Sequence, residues 1–307
     1  MTRSGNPKSP RSRDASSPGE SQTLVGQSKS LLRQFGLHAR KGLGQHFLTD
    51  RNVLGKSISA ADLGPDDVVV EVGPGLGILT EELAKTAKKV IAIEVDPQMS
   101  AILSQRLGHL SNVTIVEADV LQVDINEVVG SAAGHGKPGY KVVANLPYFI
   151  ATAAIRGFLE AEVKPERMVV MVQKEIAQNI VAASGKNGIL SISVALYGKP
   201  SLVSYVRPRS FYPPPEVDSA IVRIDVYERP ALDVDTEDFF RVVKAGFSSP
   251  RKQLRNSLAH GLSIPPSTAA VLLNEAGISL QRRAETLSLE EWGKVYEAVL
   301  GKLKDKN

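Results

Sequence analysis

Between residues 68 and 172 the chain carries five short apolar runs: VVVEV (68–72), VIAIEV (90–95), VTIVEA (113–118), KVVANL (141–146) and MVVMV (168–172). The stretches between them return their apolar residues at helical spacing. Runs this short and β-branched predict strands, and strands alternating with helices predict βαβ units around a parallel sheet. The runs are continuous rather than alternating, so both faces of the sheet should be covered, as in a doubly wound three-layer α/β domain. Two later runs, 202–206 and 219–226, predict a closing antiparallel pair. The segment joining them, 207–218, is rich in proline and too long for a tight hairpin, and such loops often carry function. After Pro230 the pattern turns helical at 236–247, 251–260, 266–276 and 288–302, punctuated by Pro250, Pro265, Pro266 and Gly277, which predicts a small helical domain.

Residues 1–23 are rich in Ser, Pro, Gly and Arg without apolar periodicity, so they cannot offset the entropy of ordering. They lack the apolar core of a secretory signal. Asp14, Glu20 and three prolines (Pro7, Pro10, Pro18) argue against an organelle transit peptide. The chain divides into a disordered tail (1–25), a catalytic domain (26–228) and a helical domain (229–307).

Composition narrows the chemistry. Cysteine is absent, which removes disulfides, thiolate metal sites and a cysteine nucleophile, and no metal is expected. No apolar run approaches the ~20 residues of a membrane span, and the reading is of a soluble, cytoplasmic protein. The formal charge is only +4, yet the pI of 9.1 leans towards a polyanionic partner.

The first run leads into Glu71-Val72-Gly73-Pro74-Gly75-Leu76-Gly77 and then a helix-like ILTEELAK. Glycines let a backbone turn sharply and approach a ligand, a signal shared by several nucleotide cofactors. The spacing is G-x-G-x-G, without the extra position that seats a pyrophosphate on a helix N-terminus. Glu71 would repel a pyrophosphate and suits the ammonium of S-adenosylmethionine, which has no phosphate. Glu94 ends the second run where a carboxylate can accept from both ribose hydroxyls, with Asp96 as a rival. Beyond the third run, Asp119 can accept from the adenine amino group of the cofactor while the backbone N–H of Val120 meets the ring. Each acid alone is a common strand end or helix cap; three at successive strand ends argue together.

The fourth run ends in Asn145-Leu146-Pro147-Tyr148. An adenine amino group is a poor nucleophile because its lone pair is delocalised into the ring. The Asn145 side-chain oxygen and the Leu146 carbonyl can accept its two hydrogens and favour a pyramidal nitrogen. Pro147 biases Leu146 away from helical geometry, and Tyr148 offers a flat face for a base taken out of its stack. The displacement needs no general base. Phe211 is a candidate second platform, or else a core residue.

With these features the chain resembles the ribosomal RNA adenine dimethyltransferase family, specifically its bacterial small-subunit member. The motifs are KGLGQHFLTD (41–50), EVGPGLGILT (71–80), NLPYFIAT (145–152), MVQKE (171–175), FYPPPEVDSAIV (211–222), RKQLRNSL (251–258) and RRAETLS (282–288). The resemblance implies a class I methyltransferase fold, Rossmann-like with a seven-stranded, mostly parallel sheet, and S-adenosylmethionine as methyl donor. It implies dimethylation of two adjacent adenosines in a hairpin loop near the 3′ end of 16S rRNA, within the small ribosomal subunit; a monomer is expected. It also implies that the region His46 to Leu48 touches the cofactor, with Gly73, Glu94, Asp119 and Asn145; Gly75 of the glycine turn is a further cofactor-binding candidate. His46 stands where the family usually has Asn, and Ala153 where a Pro is common.

The same resemblance gives the basic residues a purpose. Arg40 and Lys41 precede the fold, Arg207 and Arg209 flank the proline-rich loop, and Arg251, Lys252 and Arg255 are read on one helix, with Arg251 and Arg255 sharing a face. Beside a base-flipping site they are candidates for phosphate contacts. Rival readings are an adenine-N6 methyltransferase acting on large-subunit rRNA or DNA, and a non-catalytic RNA-binding assembly factor on the same scaffold.

Overall fold

The computed structural model describes residues 23–36, 44–133, 139–181 and 187–304. Its strands are β1 (Phe47–Leu48), β2 (Val68–Val72), β3 (Lys89–Glu94), β4 (Val113–Glu117), β5 (Tyr140–Asn145), β6 (Arg167–Gln173), β7 (Gly198–Val206), β8 (Phe211–Tyr212) and β9 (Ser219–Val226). Its helices are α1 (Leu24–Gln34), α2 (Arg51–Ala61), α3 (Ile78–Ala84), α4 (Pro97–Leu107), α5 (Ile125–Ala133), α6 (Ala151–Glu160), α7 (Lys174–Val181) and α8 (Ile189–Tyr197). Four more follow the sheet: α9 (Thr236–Gly246), α10 (Leu254–Gly261), α11 (Pro266–Glu275) and α12 (Leu289–Lys304).

The main sheet has seven strands in the order β4-β3-β2-β5-β6-β9-β7. The first five run parallel, and β9 is antiparallel to both β6 and β7. The continuous apolar runs are explained by the two faces. Val68, Val70, Val72, Val142 and Ala144 point into one apolar cluster with Ile155 and Phe158 of α6. Val69, Val90, Val143 and Met171 point into another with Leu54 of α2 and Leu83 of α3. All five residues of β2 are buried. The edge strand β4 departs from the expectation of two covered faces: its Thr114 and Glu117 are exposed, as the polar positions in VTIVE require.

The first cluster does not stop at the sheet. It runs through α8 into Phe239, Leu258, Leu273 and Trp292 of α9–α12, so the helical region shares a core with the catalytic sheet. Gly246 lets α9 meet Trp292 closely, because a Cβ there would lie 2.3 Å from the indole. No helix among the described residues is long and apolar enough to cross a membrane.

Several boundaries differ from the sequence pattern. Helix α1 begins inside the segment read as tail, capped by the Thr23 hydroxyl on the Gly26 N–H; residues 1–22 lie outside the described ones. Strand β7 starts at Gly198 rather than 202 and carries a register shift between Leu202 and Ser204, which breaks the alternation that would have marked it. Helix α10 starts at Leu254, because Gln253 is extended and Lys252 closes a turn on the Ser249 carbonyl. Arg251 and Lys252 therefore precede the helix and do not share a helical face with Arg255. The proline-rich loop contains a strand: β8 pairs with β1, Phe47 opposite Tyr212 and Leu48 opposite Phe211.

Candidate active site

From β2 the chain builds outward through β3 to β4, and from β5 outward the other way to β6. The crevice at the carboxyl ends of β2 and β5 is thus a topological switch point, where α/β sheets place ligands. A cleft of ≈ 420 Å³ lies there, a volume typical of small-ligand sites. It brings together His46, Leu48, Glu71, Gly73, Gly75, Glu94, Asp119, Val120, Asn145, Leu146, Pro147 and Tyr148.

On the β2 side, Gly73, Gly75 and Gly77 have φ of 64°, 56° and 75°, which side chains disfavour. At two of them space is short as well: a Cβ on Gly75 would meet the Phe47 ring at 3.0 Å, and one on Gly77 would meet Arg106 Nη1 at 2.7 Å. Arg106 of α4 fastens the loop, donating to the Leu76 carbonyl and pairing with Glu81 at 2.6 Å. No sequence motif announces it, since the contact depends on α4 packing under the loop.

Glu71 is 1% exposed, and its Oε2 has no hydrogen-bond partner. Burial pushes its carboxyl up to about 8; the nearby Thr80 hydroxyl lowers it only in part, and the charge of Glu94 raises it further. Glu94 is also raised by burial, against the hydrogen bond from the Asp96 N–H (3.0 Å) and those from Gly75 and Val95. Of the two acids, Asp96 caps α4, accepting from the Gln98 N–H at 3.0 Å, whereas Glu94 lines the cleft. Asp119 lines the cleft while accepting from the Leu121 N–H at 2.9 Å and from Gln122 Nε2 at 3.1 Å.

These residues fit S-adenosylmethionine. The orphaned, buried carboxylate oxygen of Glu71 answers a cationic group such as the methionine ammonium, and the glycine backbone lets a ligand approach. Glu94 and Asp119 offer acceptors for ribose hydroxyls and an adenine amine. Among the described residues no group of His, Cys, Asp or Glu is arranged to hold a metal ion.

On the β5 side, Asn145 Nδ2 donates to the His46 carbonyl at 3.0 Å. A carbonyl only accepts, so this bond fixes which end of the amide is oxygen and leaves Oδ1 for the cleft. Tyr148 is half-buried, with its ring stacked on His46 (centroids 5.8 Å, 26° between planes) and its hydroxyl 2.6 Å from Ser219 Oγ. Burial raises its phenol above the usual range despite the Ser219 bond. Phe211 is a core residue: at 3% exposed it packs with Leu48, Met171 and Ile221 and does not line the cleft. The aromatic ring that does reach the rim is Phe149, 65% exposed, directly after the tyrosine. An apolar residue left exposed beside a cleft was not visible in the sequence because its burial depends on the fold.

The basic residues are scattered. Arg40 and Lys41 lie outside the described residues. Arg207 and Arg209 are exposed; Asp50, which burial would raise, is held below its ordinary range by Ser210, the Val53 and Asn52 N–H groups and the Arg209 charge. Arg251 and Lys252 are exposed in the turn before α10, and Arg255 is half-buried on it.

A family model described as ribosomal RNA adenine dimethylase matches residues 36–299. A protein named ribosomal RNA small subunit methyltransferase A from Dehalococcoides mccartyi is 51% identical over 274 residues, 89% of this chain and 92% of its own. Among solved structures, a dimethyladenosine transferase from Plasmodium falciparum is similar with TM-score 0.69 and 25% identity, covering 84% of this chain and 98% of its own. The 23S rRNA methyltransferase ErmE is similar with TM-score 0.62 and 28% identity, covering 82% and 98%.

Proposed function

The chain belongs to the ribosomal RNA adenine dimethylase family, and from that premise we propose that it dimethylates N6 of two adjacent adenosines in a hairpin loop near the 3′ end of 16S rRNA, within the small ribosomal subunit. It is an rRNA adenine dimethyltransferase by family; the small-subunit substrate, the paired adenosines, a monomeric state and work in the cytoplasm are the finer reading. The 51% identity to a small-subunit enzyme against 28% to a large-subunit one favours the small subunit over its nearest rival.

The observation that carries the chemistry is the locked amide of Asn145. With Nδ2 held by the His46 carbonyl, Oδ1 is committed as an acceptor before substrate arrives, and the Leu146 carbonyl is the second acceptor. Two acceptors on the two amino hydrogens draw the nitrogen lone pair out of the ring system. Tyr148 receives the face of the flipped base, which offsets the loss of stacking in the RNA. Glu71, Glu94, Asp119 and the glycine loop would hold S-adenosylmethionine, which when bound supplies a methyl group activated by a sulfonium. The helical region 229–307, with Arg251, Lys252 and Arg255, is the part we assign to holding RNA by its phosphates.

The test is incubation with methyl-labelled S-adenosylmethionine and small subunits lacking the modification, followed by nucleoside analysis of the digested RNA. Dimethyladenosine at two adjacent loop positions is the expected result. Label found only in large-subunit RNA or DNA would transfer the site to another substrate, and no label on any nucleic acid would favour an assembly factor.

A further inference from the structure

Gln173, Ser219 and Val206 stand in one row across β6, β9 and β7. Because β7 and β6 both run antiparallel to β9, that row lies at the carboxyl end of the parallel strands, where the cleft is. The Ser219 hydroxyl, in the middle of the row, is 2.6 Å from the Tyr148 hydroxyl, so the row adjoins the target half of the cleft. One residue beyond Gln173 is Lys174, which opens α7, and one residue before Val206 is Tyr205. Val206 packs with Leu48 and Ile221, so strand alternation turns Tyr205 to the other face of the sheet, where Ala220 packs with Ala177 of α7. There the Lys174 ammonium lies over the Tyr205 ring, 5.4 Å from its centroid.

Tyr205 is 51% exposed. Of the other exposed aromatic rings among the described residues, Phe149 lines the cleft itself and Tyr227 follows the far end of β9, so Tyr205 is the one that stands just outside the cleft. Its surroundings are cationic: Arg207 and Arg209 follow it, both exposed, and Lys56 of α2 donates to Ser204 Oγ at 2.9 Å. Asp218, 3.6 Å from Lys174, offsets one of these charges. A flat ring left open to water among cations suits an unpaired base and its phosphate. We propose that Tyr205 and Lys174 form a second base platform, stacking an unpaired loop nucleotide next to the flipped adenosine while Arg207 meets its phosphate. This rests on the RNA-methylation reading above and extends it to a ring outside the cleft. Tyr205 is one strand spacing, about 5 Å, from the strand whose Ser219 holds Tyr148, so one RNA loop can reach both rings. The platform acts on the affinity for RNA and leaves the cofactor untouched.

Stacking can be read directly from fluorescence. In the full chain, Tyr205→Trp adds an indole at the platform, while the parent's single tryptophan, Trp292, is buried among the C-terminal helices and supplies the background. The probe is an RNA hairpin with two adjacent adenosines in its loop. The emission of Tyr205→Trp should fall as the hairpin is added, while that of the parent stays level. In steady-state methylation of unmodified small subunits, Tyr205→Ala should raise the KM for subunits about tenfold and Tyr205→Phe should hold it within about twofold, with the KM for S-adenosylmethionine unchanged in both. Lys174→Gln should make the plot of log affinity for the hairpin against log salt shallower by about 1. Level emission in Tyr205→Trp, or a loss in Tyr205→Phe equal to that in Tyr205→Ala, would remove the stacking platform. Quenching by the hairpin without methylation of any RNA by the parent would keep the platform and overturn the methylation reading instead.

Discussion

Removing the amide of Asn145 leaves the Leu146 carbonyl as the remaining acceptor for two amino hydrogens. Asn145→Ala should therefore lower methyl transfer by about 100-fold or more, while the affinity for S-adenosylmethionine, measured by calorimetry, stays within a few-fold; parallel loss of both would collapse the division between the two halves of the cleft. Glu71 makes a separate prediction through pH. Its carboxyl titrates near 8 when folded against an ordinary 4.5, so the folded protein binds the extra proton between those values and stability falls as pH rises through that window. Below the window there is no penalty, and above it the penalty is complete. Glu71→Gln should flatten the decline of Tm between pH 5 and 9 in the protein without cofactor, and it should weaken S-adenosylmethionine binding; an unchanged Tm profile would show that the carboxylate already has a partner. The three acids and NLPY were legible in the sequence because each depends on a strand ending where the pattern says it ends. Asp96 could not be separated from Glu94 that way, because only the fold shows one capping α4 and the other facing the cleft.

The glycine loop acts together with two helices, since Arg106 of α4 joins the Leu76 carbonyl to Glu81 of α3. Arg106→Ala should raise the KM for S-adenosylmethionine about tenfold with a smaller change in kcat, and a kcat loss equal to the KM gain would place Arg106 in the chemistry instead. Gly77→Ala is the sharper change. It puts a side chain at φ +75° and a Cβ within 3.0 Å of Leu103 and Leu107, so denaturant titration should show a loss of about 2 kcal/mol or more. The long parallel strands were readable from composition, but the ladder of β1 and β8 was not: two residues carry no period, and their partners lie more than 160 positions away. The start of α10 was misread because RKQLRNSL has helical composition throughout, and the decision rests on the Ser249–Lys252 turn.

At the scale of the whole molecule, the helical region and the sheet share one apolar cluster, so the surface of α9–α12 is packed to the sheet that carries the cleft. Arg251 and Lys252 are exposed and form no ion pair among the described residues, whereas Arg282 is engaged by Glu291. Replacing Arg251, Lys252 and Arg255 with Ala should weaken binding to small subunits and make the plot of log affinity against log salt shallower by about 2; an unaltered slope would make them a solvated surface. The four helices after the sheet were legible from their periodicity, but their continuity with the sheet was not, because that depends on α8 bridging the two. The ladder between residues 47–48 and 211–212 also sets an order in time. A nascent chain acquires its glycine loop early and its NLPY turn near the midpoint of translation, yet the pairing of Phe47 and Leu48 waits until Phe211 and Tyr212 have been added, well past that midpoint. An enzyme of ribosomal RNA thus completes its cleft late in its own synthesis, by the pairing of two residues with two.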